Sequence, residues 1–154
     1  MTDQLIGLLV GLAALTTATA GGVYLGFTSM VMPALRESPE AESVATMNRI
    51  NVRAVRSTFM IAFVGSALTC LAVAIVVTPA LPRLDALFAL LGAALGFIAF
   101  VVTAAVNVPL NNRLAATKDG RGFADFERRW RRGNSVRGAV SLLGAASLIT
   151  SLVV

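Results

Sequence analysis

Residues 84–110 read LDALFALLGAALGFIAFVVTAAVNVPL, an apolar run whose single formal charge, Asp85, stands at its start. A run of this length with no charge in its middle suits a helix crossing a hydrocarbon core of about 30 Å. Only a few residues separate it from the run at 58–81, which closes on Thr78-Pro79-Ala80-Leu81-Pro82. So short a connection makes the two helices antiparallel neighbours. Two further runs, 5–35 and 136–154, complete four candidate spans. The expected fold is all-α: an integral-membrane four-helix bundle, up-down-up-down, forming one domain over 1–154.

Charge sets the expected orientation. Of thirteen Lys and Arg residues, Arg36, Arg49, Arg53 and Arg56 occupy segment 36–57. Arg113, Lys118, Arg121, Arg128, Arg129, Arg131 and Arg132 occupy 111–135, and Arg137 follows just inside the last run. The middle gap holds Arg83 alone, and the N-terminus holds none. Positive charge stays on the cytoplasmic side of a bilayer. Segments 36–57 and 111–135 are therefore expected in the cytoplasm, with both termini extracytoplasmic, in a multi-pass protein of the cytoplasmic (inner) membrane.

Composition agrees. The chain is 56% apolar and 14% charged, against about 25% charged residues in soluble domains, and its mean hydropathy is +0.79. The net charge of +5 sits beside apolar runs instead of forming a separate basic domain. The expected partner of these arginines is the lipid bilayer and its anionic headgroups, with no nucleic acid. Ala18-Thr19-Ala20 has the look of a signal-peptidase site, but the leader MTDQ is acidic and cleavage would leave a short apolar remnant. The run at 5–35 is expected to stay as the first span.

Several chemistries are excluded. Cys70 is the single cysteine, so no intrachain disulfide or paired-thiol redox site exists. The chain has no histidine, which removes the commonest general base and metal ligand together. No metal site and no cofactor are expected. No Asp, Glu, Lys or Arg lies in the middle of a span, which argues against a proton-coupled exporter or cation-driven carrier.

Finer organisation follows from spacing. At about 1.5 Å per residue, the roughly 31 residues of the first run extend about 46 Å, so that helix must tilt, bend or project. Gly21-Gly22 is the expected bend, and Pro33 marks its cytoplasmic end. Asn48, Arg49, Asn51, Arg53 and Arg56 recur at helical spacing, which predicts a helix leading straight into the second span. Lys118-Asp119-Gly120 reads as a turn, before an amphipathic stretch carrying Phe123, Phe126 and Trp130. Gly7/Gly11, Gly22/Gly26 and Gly92/Gly96 offer close helix packing, within one bundle or in a homo-oligomer.

Neutral polar groups and arginines gather at one level. Pro109 cannot bond the carbonyl of Ala105, and in a bilayer that carbonyl needs another donor. Asn107 and Asn111 share a helix face, as do Trp130, Asn134 and Arg137. Arg36, Asn48, Asn51 and Arg53 come to the same depth, so a polar pocket is expected at the cytoplasmic mouth. Two readings stay open. The asparagines and Arg137 either satisfy a kinked helix and its neighbours, or bind an anionic or phenolic oxygen of a membrane-soluble ligand. Arginine cannot serve as a base, but it can stabilise an enolate or phenolate.

The stretch NVPLNNRL at 107–114, the spacing Trp130-x-x-x-Asn134-x-x-Arg137, and Met47-Asn-Arg-Ile-Asn51 leading into Phe59 resemble the anthrone oxygenase-like family of small four-helix membrane proteins. The resemblance implies oxidation of an anthrone or other lipophilic aromatic molecule by molecular oxygen, without a cofactor. It implies Asn107, Pro109, Asn111, Trp130, Asn134 and Arg137 as site positions; joined to the level argued from spacing, Arg137, Asn134, Asn107 and Asn111 make the expected reactive cluster, with Trp130, Asn51, Arg53, Pro109 and Tyr24 around the ligand. Many bacterial relatives place a histidine after the asparagine, where this chain has Ser135. Tyr24 is either a ring packed beside Gly22 and Gly26 or, if strongly activated, a substitute for that base. A non-catalytic protein that binds a lipid or quinone-like molecule, or stabilises a membrane assembly, is the alternative.

Overall fold

The computed structural model describes residues 3–117 and 121–154. The turn expected at Lys118-Asp119-Gly120 lies outside the described residues. Among those described, the chain is helices joined by short connections, with no strand.

Five helical rods replace the four expected. The first runs from α1 (Asp3–Gly26) through a π-helical turn at Phe27–Val31 into α2 (Met32–Arg36). Then come α3 (Glu40–Ala54) and α4 (Phe59–Val77), the latter closing in a 3-10 turn at Thr78–Ala80. The next rod joins α5 (Leu84–Val102) through a second π-helical turn, Thr103–Asn107, to α6 (Val108–Ala115). The last is α7 (Phe123–Thr150).

Three rods among the described residues are long and apolar enough to cross a membrane: Asp3–Arg36, Phe59–Ala80 and Leu84–Ala115. The α7 helix does not begin near 136 as its hydropathy suggested. It starts at Phe123 and carries Asp125, Glu127 and four arginines before its apolar part. The expected continuity of 48–56 with the second span also fails. The chain breaks between Ala54 and Phe59, so Arg49 and Arg53 lie on α3 while Arg56 does not.

Nor does the first rod bend by loss of helix at Gly21-Gly22, which lie within α1. Its irregularity falls just before Pro33, and the third run repeats it just before Pro109. A proline ring collides with the carbonyl four residues back and offers that carbonyl no donor. Widening the preceding turn relieves the conflict: Met32 N–H bonds Phe27 C=O, and Val108 N–H bonds Thr103 C=O, each five residues back. Gly21 is instead small because α7 lies against it. A Cβ there would come within 3.0 Å of Leu142 and 3.1 Å of Ser141.

The α1 helix packs against α4 and α7, and α5 packs against the same two, closing a ring. Asp3, Val77, Asp85 and Ser151 line one cleft, so both termini meet the α4–α5 connection at one end. At the other end α3 lies across α2, α6 and α7. It is tied there by Ser43, whose hydroxyl donates to Leu35 C=O (2.6 Å). Glu40 also accepts the first amides of α7, from Gly122 (2.7 Å) and Phe123 (2.9 Å), a favourable place for a carboxylate at a helix N-terminus.

Two apolar clusters fill the interior. Near the termini, Val10, Cys70, Val73, Ala93 and Leu148 pack together; near α3, Met32, Met47, Leu114, Phe126 and Trp130 do so. Along every long helix a polar layer separates them: Thr17, Tyr24, Ser66, Thr103, Asn107, Asn134, Arg137 and Ser141 are all buried. Tyr24, Thr103 and Arg137 of that layer line the site.

Candidate functional site

A cavity of about 580 Å³ opens between the ring and α3, inside the usual range for small-molecule sites. Tyr24, Phe27, Phe59, Phe63 and Trp130 are the aromatic part of its wall. Tyr24 meets Phe59 edge-on at 6.0 Å, Phe59 stacks on Phe63 at 5.9 Å, and Phe27 tilts against Trp130 at 5.7 Å. Thr103, Asn111 and Arg137 supply polar atoms inside, while Arg49, Asn51 and Arg53 of α3 stand on its other side. None of the lining residues is Asp, Glu, His, Lys or Cys.

Arg137 is the centre of this arrangement. It is only 7% exposed, and its guanidinium carbon lies 4.1 Å from the centroid of the Tyr24 ring and 5.2 Å from that of Trp130. Its Nε and Nη2 donate to Asn134 Oδ1 at 3.0 and 2.7 Å, and Nη1 donates to Thr103 Oγ1 at 3.1 Å. A guanidinium has five N–H groups, so two remain. Arg137 has no carboxylate partner among the described residues. Burying an ion costs several kcal/mol, whereas a cation over an aromatic face recovers roughly 0.5–2 kcal/mol.

The asparagines divide between wall and scaffold. Asn134, fully buried, donates to Tyr24 C=O and to Thr28 Oγ1, both at 2.6 Å, while its oxygen orients Arg137. Asn107 donates to Trp130 C=O at 3.1 Å, and its Oδ1 is buried without a partner. Asn111 accepts from Trp130 Nε1 at 2.8 Å. Of the residues singled out in the sequence, Tyr24, Asn51, Arg53, Asn111, Trp130 and Arg137 share the cavity wall, and Asn107, Pro109 and Asn134 do not. Pro109 acts earlier, by forcing the wide turn that carries Thr103 and Asn107. Among the described residues no three of His, Cys, Asp and Glu come together as metal ligands would.

A family model described as anthrone oxygenase matches residues 49–147. The chain belongs to the anthrone oxygenase family. No curated protein and no solved structure matches it. The part matched to the anthrone oxygenase family carries most of the cavity, from Asn51 to Arg137, but leaves Tyr24 outside.

Thr103, Phe59 and Phe63 are among the wall residues that the sequence did not single out for the site. Thr103 sits four residues before Asn107, which is four before Asn111, so one helical stripe holds all three. A hydroxyl inside an apolar run gave no reason to single it out, because such groups usually bond back to their own helix; Thr103 does that too, donating to Ala99 C=O at 2.9 Å. Phe59 and Phe63 stand four apart on α4, a spacing equally suited to ordinary packing.

Proposed function

We propose that this member of the anthrone oxygenase family is a four-pass protein of the cytoplasmic membrane, arginine-rich end inward, that oxidises a lipophilic phenolic or anthrone-type molecule with O2. The observation that carries the reading is Arg137: a buried guanidinium with no acid beside it, facing an aromatic-walled cavity. The α7 helix serves as the fourth span because its apolar part packs between α1 and α5.

An anthrone loses a proton from the ring carbon opposite its carbonyl, and the charge spreads to the carbonyl oxygen. Arg137 holds that oxyanion with its two remaining N–H groups. Interactions that strengthen as charge develops are the ones that lower a barrier. Tyr24 is the proton acceptor by elimination, since the other titratable lining groups are arginines. To act, Tyr24 must first lose its own phenolic proton to water; on taking the substrate's proton it leaves the substrate oxyanion as the counter-charge to Arg137. The carbanion adds O2 to give a peroxide anion, and Tyr24 returns its proton. Loss of water, made from the remaining ring C–H proton and the hydroperoxide's outer OH, leaves the quinone. One oxygen atom enters the product and the other leaves as water.

Purified protein supplied with an anthrone and oxygen should accelerate quinone formation. Arg137→Ala should remove the gain while the helices stay folded, and equal rates with and without protein would sink the reading for that substrate. Tyr24→Phe should keep ligand binding and lose turnover. A second reading, binding of a lipid or quinone-like molecule without turnover, draws on Asn107, Asn111 and Asn134 being engaged by the protein itself. It expects ligand-dependent stabilisation with no change in rate.

A further inference from the structure

On the outer face of α7, away from the aromatic cavity, a second hollow of about 660 Å³ lies against the end of α2. Arg36, Arg128, Arg131 and Arg132 line it, with Glu127 as the one acid and Ser135 and Val136 at its far end. Glu127 is shared: Arg36 holds it through Nη2 at 2.5 Å and Nε at 3.1 Å, and Arg131 reaches it at 3.4 Å. Arg128 pairs with Asp125. Four guanidinium groups thus face two carboxylates, and two positive charges are left over. Arg132 has no acidic partner among the described residues, and Arg131 Nε is buried without a hydrogen bond.

The hollow continues into an apolar stripe. Val136 is 50% exposed and Leu143, seven residues on along the same face, is 62% exposed. A concentration of guanidinium groups followed by bare aliphatic side chains matches a phosphate head with an acyl tail. Guanidinium recognises phosphate oxygens through paired N–H groups, and basic pockets beside spanning helices on the cytoplasmic side take anionic headgroups.

We propose that this hollow is a binding site for one anionic phospholipid, its phosphate held by Arg128, Arg131 and Arg132 and an acyl chain lying along Val136 and Leu143. The proposal rests on the membrane placement of the chain and not on any oxygenase activity. Delipidated full-length protein in a neutral detergent would be titrated with phosphatidylglycerol and with phosphatidylcholine, following thermal stability and lipid occupancy by native mass spectrometry. Phosphatidylglycerol should bind preferentially. The double substitution Arg128→Gln/Arg132→Gln should weaken it about thirtyfold, since each basic side chain at such a surface is worth about a factor of five. Arg113→Gln/Arg129→Gln removes the same charge off the hollow and should leave affinity within about twofold of the parent. Equal binding of both lipids, equal loss in both double variants, or equal stabilisation by glycerol phosphate alone would overturn the lipid site.

Discussion

Asn107 and Asn111 lie four residues apart on one rod, yet they do different work. Asn107 bridges to the backbone of α7 through Trp130 C=O, whereas Asn111 positions the Trp130 indole at the cavity wall. Asn107→Ala removes a buried inter-helix hydrogen bond and should cost about 1–2 kcal/mol, read as a lower melting temperature in detergent. Asn111→Ala should cost less stability but loosen the indole, read as a shift in Trp130 fluorescence and in ligand affinity. A fall in melting temperature for Asn111→Ala as large as for Asn107→Ala would contradict this division. The sequence brought both residues, Trp130 and Arg137 to one level through spacing alone. It could not separate wall from scaffold, because side-chain direction within a helix face depends on which neighbour stands opposite. The same limit hid Thr103.

Gly92 and Gly144 show at the level of helices what small residues do here. A Cβ on Gly92 would lie 2.7 Å from Gly144 O and from Leu148 Cγ, and 2.8 Å from Leu148 N. Backbone cannot yield as a flexible side chain can. Gly92→Ala should therefore cost about 1–3 kcal/mol; an unchanged melting temperature would refute the close α5–α7 approach. Gly7→Ala should change little, since nothing lies within 4 Å of the added carbon. Hydropathy located the long helices because lipid demands continuous apolar stretches. It misplaced their ends, since the start of α7 is polar and is held by contacts with α3. The break at 55–58 was equally invisible: Val55 and the hydroxyl residues beside it do not signal a helix end. Prolines at 33 and 109 were legible as faults but not as wide turns, since a proline can also kink or end a helix.

For the molecule as a whole, the crowding of arginines around α3 and the start of α7 is the basis for the proposed orientation. With Cys70→Ala as background, a cysteine placed at Arg128 should react with a membrane-impermeant thiol reagent only after the cytoplasmic side is opened. A cysteine placed at Val153 should react from outside in intact cells. The reverse pattern would invert the topology and move the aromatic cavity to the other leaflet. The antiparallel order of α4 and α5 was readable from the few residues joining them. The end of the molecule that holds the cavity was readable from charge. A pocket there was readable too, but its closure by α3 folding back beneath the ring was not.

The break between α3 and α4 gives that cavity an oily doorstep: Val55 and Val108 both line it, and they are 65% and 44% exposed. With the rods embedded, a greasy reactant dissolved among acyl chains can reach Arg137 sideways, without returning to water. Turnover should then track moles of reactant per mole of lipid and ignore the volume of buffer. Diluting proteoliposomes at a fixed reactant-to-lipid ratio should leave the rate per protein molecule unchanged.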